Sequence, residues 1–96
     1  MPIKVKGFLT FQPLLGGSGE IVLDLDRPTV GEVLAELARR FGPGFDERFF
    51  DPKRTEPQAR NLILINGRHL RLFPAGLETK LQDNDLLALF PPVAGG

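Results

Sequence analysis

The sequence predicts an α+β fold in which one main helix packs on one face of a mixed sheet of four to five strands. Two pairs of short apolar segments flank a single strongly amphipathic stretch, Thr29 to Phe41. The final apolar segment, Leu86 to Phe90, contains no polar residue. Such a segment is typical of a strand that is buried on both faces at the centre of a sheet.

The first pair of segments predicts a hairpin. From Ile3 to Phe11, apolar side chains recur at odd positions, although Phe8 breaks the alternation and indicates that one end is covered on both faces. Glu20 to Asp26 alternates in the same way and predicts an antiparallel second strand. The glycine-rich connection between them, Gln12 to Glu20, lacks the spacing of a phosphate-binding loop and no helix follows it. We therefore interpret it as a flexible hairpin connection.

The helix is the clearest element. Thr29 and Glu32 have the spacing of a capping box, and Gly42 followed by Pro43 is typical of a helix end. The apolar positions between these signals recur at helical spacing and form one stripe: Val30, Val33, Leu34, Leu37, Ala38 and Phe41. A helix with a single apolar stripe packs on one face of a sheet.

The segment from Phe45 to Arg60 is less regular. Phe45, Phe49 and Phe50 stand among charged residues, and Pro52 and Pro57 limit regular structure. We expect a short helical turn near residues 46–50 and then an exposed loop. The three phenylalanines either cover the open end of the core, which we favour, or form a surface for a partner.

A second hairpin follows. Leu62 to Ile65 is a dense strand, and Asn66-Gly67 is a strong hairpin signal because both residues tolerate positive φ. Arg68 to Leu72 is the predicted return strand. Residues 76–81 then predict a turn that carries two core leucines, and residues 83–85 predict a tight turn into the last strand.

The order strand, strand, helix, strand, short strand, strand places the most apolar strand beside the first strand and parallel to it, through a right-handed crossover. This is the β-grasp, or ubiquitin-like, arrangement. We expect one domain over residues 1–90 and an extended tail over residues 91–96.

Composition excludes several classes of function. Twelve basic and twelve acidic residues cancel, which argues against nucleic acid or an anionic membrane as the main partner. The absence of cysteine excludes a thiol nucleophile and a thiolate metal site. His69 is the only histidine and lacks partners for catalysis or metal binding, and the pairs Asp24/Asp26 and Asp83/Asp85 fit solvent-facing positions. No signal peptide or membrane-spanning segment is evident, so we expect a cytoplasmic protein.

The C-terminus carries the most specific signal. A buried strand is followed by Pro91 and Pro92, which favour a stiff, extended path, and then by two glycines. The segment from Asp83 to Gly96 resembles the end of the MoaD family, the small subunit of molybdopterin synthase within the ubiquitin-like sulfur carriers of the MoaD/ThiS superfamily. The ending that carries this resemblance is Phe90-Pro91-Pro92-Val93-Ala94-Gly95-Gly96.

The resemblance implies a chemistry for the tail. A ubiquitin-activating-type (MoeB-like) adenylyltransferase would use ATP to convert the Gly96 carboxylate into an acyl-adenylate, and a sulfurtransferase or cysteine desulfurase would supply the sulfur of a Gly96 thiocarboxylate. The tail, from Phe90 through Pro91, Pro92, Val93, Ala94 and Gly95, would insert into the large (MoaE-like) subunit and deliver the sulfur to a pterin precursor. The chain itself would bind no cofactor and no metal.

Two alternatives remain open. The same activated tail could serve tRNA thiolation, another sulfur-transfer pathway or attachment to protein lysines. Alternatively, the domain could be an interaction module with an inert tail, in which case removal of Gly95 and Gly96 would change nothing.

Overall fold

The computed structural model describes residues 2–42, 44–45, 49–50 and 61–91. Within these ranges the chain forms β1 (Pro2–Gly7), β2 (Glu20–Asp24), α1 (Val30–Phe41), β3 (Leu62–Ile65), β4 (Arg68–His69) and β5 (Leu86–Phe90). The strands form one sheet in the order β2-β1-β5-β3-β4. β1 and β5 are parallel, and the other neighbours are antiparallel. The predicted β-grasp fold is confirmed, with the last strand at the centre of a five-stranded sheet.

The core lies between the sheet and α1. Inward side chains of the strands meet the apolar stripe of the helix, and every member of this set is at most 5% exposed: Ile3, Val5, Leu23, Ile63, Ile65, Leu87, Leu89, Val30, Val33, Leu34 and Leu37. The helix begins as predicted. The Glu32 N–H donates to Thr29 Oγ1 at 3.0 Å, and the Thr29 N–H donates to Glu32 Oε1 at 2.8 Å, so the capping box is complete.

The start of α1 is tied to the segment that precedes β5. The Val30 N–H donates to the Thr79 carbonyl at 3.0 Å, and the Leu81 N–H donates to the Pro28 carbonyl at 2.8 Å. Leu81 is fully buried, and Leu77 packs against the core from a 3-10 turn at Gly76–Glu78. The predicted turn with two core leucines is therefore confirmed.

The second hairpin forms at the predicted turn. Asn66 and Gly67 have φ values of 50° and 85°, which is the backbone that the Asn-Gly pair favours. The return strand is shorter than predicted because β4 ends at His69, where the chain enters a 3-10 turn at Leu70–Leu72. His69 Nδ1 accepts a hydrogen bond from the Arg71 N–H at 3.2 Å, so this ring serves its own turn.

The prediction that the first strand continues to Phe11 is wrong beyond Gly7. The chain leaves the sheet at Phe8 and forms two 3-10 turns, Leu9–Phe11 and Pro13–Leu15. It returns to β1 at Gly19, whose carbonyl accepts a hydrogen bond from the Gly7 N–H at 2.7 Å. Phe11 and Leu15 are buried, so this connection is a packed unit and not a flexible loop. We call residues 8–19 the β1–β2 lobe. β2 likewise ends at Asp24 and not at Asp26.

Two of the three phenylalanines after the helix complete the core. Phe45 and Phe49 are fully buried and stack with ring centroids 5.1 Å apart, and the Phe49 ring lies 5.4 Å from that of Phe11. Phe50 packs edge-on against both at the margin. This arrangement supports the core interpretation over the partner surface. The predicted turn and loop over residues 46–48 and 51–60 lie outside the described residues.

Candidate functional site

β5 carries the chain to the candidate site with a fixed backbone. It is paired on both sides. Its Leu89 lies opposite Gly7 of β1, and its Phe90 lies opposite Leu62 of β3. The Phe8 N–H extends the β1 pairing by donating to the Leu89 carbonyl at 3.0 Å. The position and direction of the chain are therefore set up to the last residue of the strand.

The aromatic side chains at the end of β5 form a stacked pair. The Phe8 and Phe90 rings are 4.2 Å apart at their centroids and only 3° from parallel, and Lys6 Nζ lies 5.1 Å from the Phe8 centroid. Pro91 follows and is buried. We call Phe8, Phe90 and Pro91 the tail root. Phe8 was not predicted as a site residue, although its break in the alternation of the first strand was a visible signal.

The tail root borders the outer face of the sheet, which is opposite α1. Ala88 at the centre of this face is 7% exposed, and Leu62, Leu64 and Leu86 are half-buried around it. On the edge strand Val22 is 55% exposed. Lys4 and Lys6 lie between the apolar centre and this edge. The tail root therefore lies beside an apolar surface with a charged margin.

The structure describes only part of the predicted site. Phe90 is the last residue of β5, and the buried Pro91 follows it in the tail root, while their predicted role in binding a partner stays a prediction. Pro92, Val93, Ala94, Gly95 and Gly96 lie outside the described residues. The reactive end of the chain therefore remains a prediction, whereas its attachment to the domain is a structural observation.

Carboxylates elsewhere in the domain have structural roles or face solvent. Asp85 accepts from Asn66 Nδ2 at 2.9 Å and from the Gln82 N–H at 2.7 Å. Asp24 and Asp26 are exposed on and after the edge strand β2. In the part of the chain that the structure describes, no group of three histidine, aspartate or glutamate residues could hold a metal ion.

Two clefts that described residues line lie away from the tail root. One of 530 Å³ is lined by Arg27, Lys80 and Asp83 among others, and one of 270 Å³ by residues that include Arg68 and Lys80. Both adjoin the segment that precedes β5, whereas the tail leaves from the other end of that strand. The candidate site described by the structure is thus the end of β5 with the tail root, apart from both clefts. In the described ranges, no helix is long and apolar enough to cross a membrane.

Known proteins share both the sequence and this architecture. The model of the ThiS family matches residues 8–96. The chain is 32% identical over 96 residues to small archaeal modifier protein 3 of Haloferax volcanii, and 33% identical over 97 residues to the sulfur carrier protein CysO of Mycobacterium tuberculosis. Each alignment covers 100% of both proteins.

Solved structures of known proteins have the same fold as this chain. The crystal structure of SAMP1 from Haloferax volcanii superposes with a TM-score of 0.81 at 31% identity, over 100% of both chains. A Pyrococcus furiosus protein provisionally assigned as molybdopterin converting factor, subunit 1, superposes with a TM-score of 0.70 at 28% identity, over 97% of this chain and 99% of that one. Because the family model matches nearly the whole chain, the protein belongs to the ThiS family of sulfur carriers within the MoaD/ThiS superfamily.

Proposed function

We propose that this chain is a sulfur carrier whose Gly96 carboxylate is adenylated and then converted to a thiocarboxylate. The observation that carries the proposal is the path of β5. The central strand of a sulfur-carrier fold leads through the tail root into a sequence that ends in two glycines. The domain holds the base of the tail at Phe90 and Pro91, and Gly96 would supply the reactive carboxylate.

The chemistry requires activation by a partner, because a carboxylate is a poor electrophile. In the proposed first step, a ubiquitin-activating-type adenylyltransferase holds ATP, and a Gly96 carboxylate oxygen attacks the α-phosphate with loss of pyrophosphate. The persulfide of a sulfur donor, such as a sulfurtransferase or cysteine desulfurase, then attacks the acyl carbon with loss of AMP. A thiol of a partner cleaves the resulting acyl disulfide, which leaves the thiocarboxylate on Gly96 and a disulfide on the donor side. ATP belongs to the activating partner, and this chain contributes the acyl group.

The glycines and prolines of the tail suit this role. Gly96 leaves its carboxylate unhindered, and Gly95 keeps the adjoining segment narrow. Pro91 and Pro92 restrict the chain before it binds, so that less conformational freedom is lost when the tail enters a partner. Stacking of Phe90 on Phe8 adds to this effect by fixing where the tail begins.

We favour molybdopterin synthesis as the destination of the sulfur, with a MoaE-like large subunit that receives the tail and a MoeB-like enzyme that activates it. The Phe-Pro-Pro-Val-Ala-Gly-Gly ending supports this choice, as does the likeness to the Pyrococcus furiosus protein. The likeness to small archaeal modifier proteins favours a second candidate, in which the activated Gly96 is attached to protein lysines. Both candidates require the same activated tail.

The first test is substitution of Gly96 by alanine. A methyl group beside the carboxylate misplaces the reacting atoms in a narrow active site, so we expect formation of the thiocarboxylate to fall by about 100-fold or more. The melting temperature should be unchanged, because Gly96 follows the last strand, which ends at Phe90, by several residues in the sequence. Intact mass is measured after incubation with the adenylyltransferase, ATP and a sulfur donor, and the change is mapped to a C-terminal fragment to exclude oxidation of Met1.

The absence of cysteine makes the product easy to identify. Any group that newly reacts with a thiol-specific reagent must be the sulfur on Gly96. Gly44→Ala is a matched control that adds the same methyl group far from the tail in sequence. Normal sulfuration of the Gly96 variant, or a wild-type chain that accepts no sulfur, would contradict the proposal. If the wild-type chain accepts no sulfur, and if deletion of Gly95 and Gly96 also changes nothing, the chain is an interaction module with an inert tail.

The destination is tested with the thiocarboxylated protein. For molybdopterin synthesis, we expect addition of a MoaE-like subunit and the pterin precursor to return Gly96 to a carboxylate while sulfur appears in the pterin. For a modifier, Gly96 should become linked to lysines when the chain is incubated with cell extract and ATP. Transfer to tRNA or to another sulfur-containing product would indicate the remaining alternative.

A further inference from the structure

Leu9 combines two unfavourable features. Its φ is 54°, in the left-handed region that leucine rarely adopts, and its side chain is 62% exposed. A mostly exposed leucine contributes little hydrophobic stabilisation to the fold, and a leucine in this backbone conformation is strained. Residue 9 therefore carries a side chain that suits neither its environment nor its backbone.

The fold does not require leucine at this position. Elsewhere in the β1–β2 lobe, the left-handed positions Gly16, Gly17 and Gly19 are glycine, which adopts positive φ without strain. At position 9, glycine or asparagine would remove the backbone strain. Replacing the exposed leucine by a polar side chain would also cost little buried apolar area. The contact that would favour leucine must therefore come from outside the described part of the chain.

The place of Leu9 identifies that contact. It follows Phe8, whose ring stacks on Phe90 and whose N–H bonds the Leu89 carbonyl. The turn that Leu9 begins lies against β5, near the point where the tail leaves the domain. Any enzyme that draws the tail into its active site must therefore approach Leu9.

We propose that Leu9 is a specificity-determining residue, whose side chain enters an apolar recess of the adenylyltransferase that receives the Gly96 tail. This inference rests on the proposed function, since it names a contact of the same activating partner. The strained turn holds the leucine outward beside the tail root, so the enzyme recognises the lobe and the tail together.

The test compares Leu9 with a matched leucine. Leu72 is also 62% exposed and also lies in a 3-10 turn, but its φ is not positive and it follows β4, an edge strand that β5 and β3 separate from β1. The variants are Leu9→Asn, Leu9→Gly and Leu72→Asn in the full chain. ATP–pyrophosphate exchange by the adenylyltransferase from the same organism is measured against carrier concentration, together with the melting temperature of each variant.

We expect both Leu9 variants to raise KM for the carrier by about tenfold, the loss typical of removing one apolar interface anchor, with kcat within about twofold. Their melting temperatures should equal or exceed that of the wild type, because asparagine and glycine suit the backbone better. Leu72→Asn should match the wild type in both measurements.

A wild-type KM in the Leu9 variants would overturn the inference while leaving the proposed function intact. A lowered melting temperature would assign Leu9 to the fold, and an equal rise in KM for Leu72→Asn would show a general response to surface polarity. Absence of exchange with the wild-type chain would overturn the proposed function and this inference together.

Discussion

At the scale of single residues, Asn66 links the turn between β3 and β4 to the start of β5. It adopts a φ of 50° in the turn between β3 and β4, and its backbone N–H donates to the Leu86 carbonyl at 2.8 Å. Its side chain completes the link, with Oδ1 accepting from the Leu86 N–H and Nδ2 donating to Asp85 Oδ1, both at 2.9 Å. One residue therefore sets the register at which the central strand begins.

We expect Asn66→Ala to lower the free energy of unfolding by about 2 kcal/mol, since it removes two side-chain hydrogen bonds and places alanine in a left-handed backbone. Asn66→Gly keeps the backbone favourable and removes only the side chain, so its loss should be about half as large. Urea denaturation measures both values. A glycine variant as stable as the wild type would show that the side-chain bonds contribute nothing.

At the scale of elements, α1 carries a charged cluster that makes its stability depend on pH. Glu36 accepts from Arg39 Nε at 3.0 Å and from Arg40 Nε at 2.8 Å. These bonds lower the pKa of Glu36 from its ordinary value of 4.5 to about 2. Because the folded pKa is the lower one, the contribution is complete above pH 4.5 and is lost as the pH falls towards 2.

We therefore expect Glu36→Gln to melt at a lower temperature than the wild type at neutral pH, with a difference that shrinks below pH 4.5 and is mostly lost by pH 2. The effect is small because the two arginines are exposed to solvent. Thermal melts between pH 2 and 7 provide the measurement. A difference at pH 2 as large as that at pH 7 would show that charge on Glu36 is not the cause.

The β1–β2 lobe depends on the absence of a side chain at Gly7. A Cβ there would lie 2.8 Å from the Phe11 carbonyl oxygen and 2.9 Å from Leu15 Cδ1. We expect Gly7→Ala to cost about 2–3 kcal/mol in urea denaturation, because the lobe must move away from the strand. At Gly44 the nearest atom to such a Cβ is 3.9 Å away, so Gly44→Ala should be nearly neutral. Equal effects at the two sites would contradict this account of the lobe.

The elements that the sequence predicted well are those with local causes. The capping box of α1 and the Asn66-Gly67 turn depend on residues within a few positions of one another. The lobe was missed because its apolar residues continue the alternation of a strand while the backbone has already turned. Gly7 carried the relevant signal, since glycine within a strand pattern marks close backbone approach.

At the scale of the whole molecule, the topology was predictable because one strand, Leu86–Phe90, is apolar on both faces and can satisfy this only at the centre of the sheet. The site was predictable in part. The Gly-Gly ending points to Gly96 from sequence alone, whereas the pairing of Phe8 with Phe90 requires β1 and β5 to be parallel neighbours. The place of Leu9 beside the tail depends on the same tertiary contact.

The parallel pairing of β1 and β5 also has a mechanical consequence. The start of β1 and the end of β5 lie at opposite poles of the sheet, so a pull on the tail against Pro2 acts along both strands. The hydrogen bonds between them, from Lys4–Asp85 at 2.9 Å to Phe8–Leu89 at 3.0 Å, are then loaded in shear and share the force, instead of opening one after another. A force that a partner applies to the tail while the start of β1 is held is therefore distributed over the β1–β5 pairing, and the domain resists unfolding in this direction.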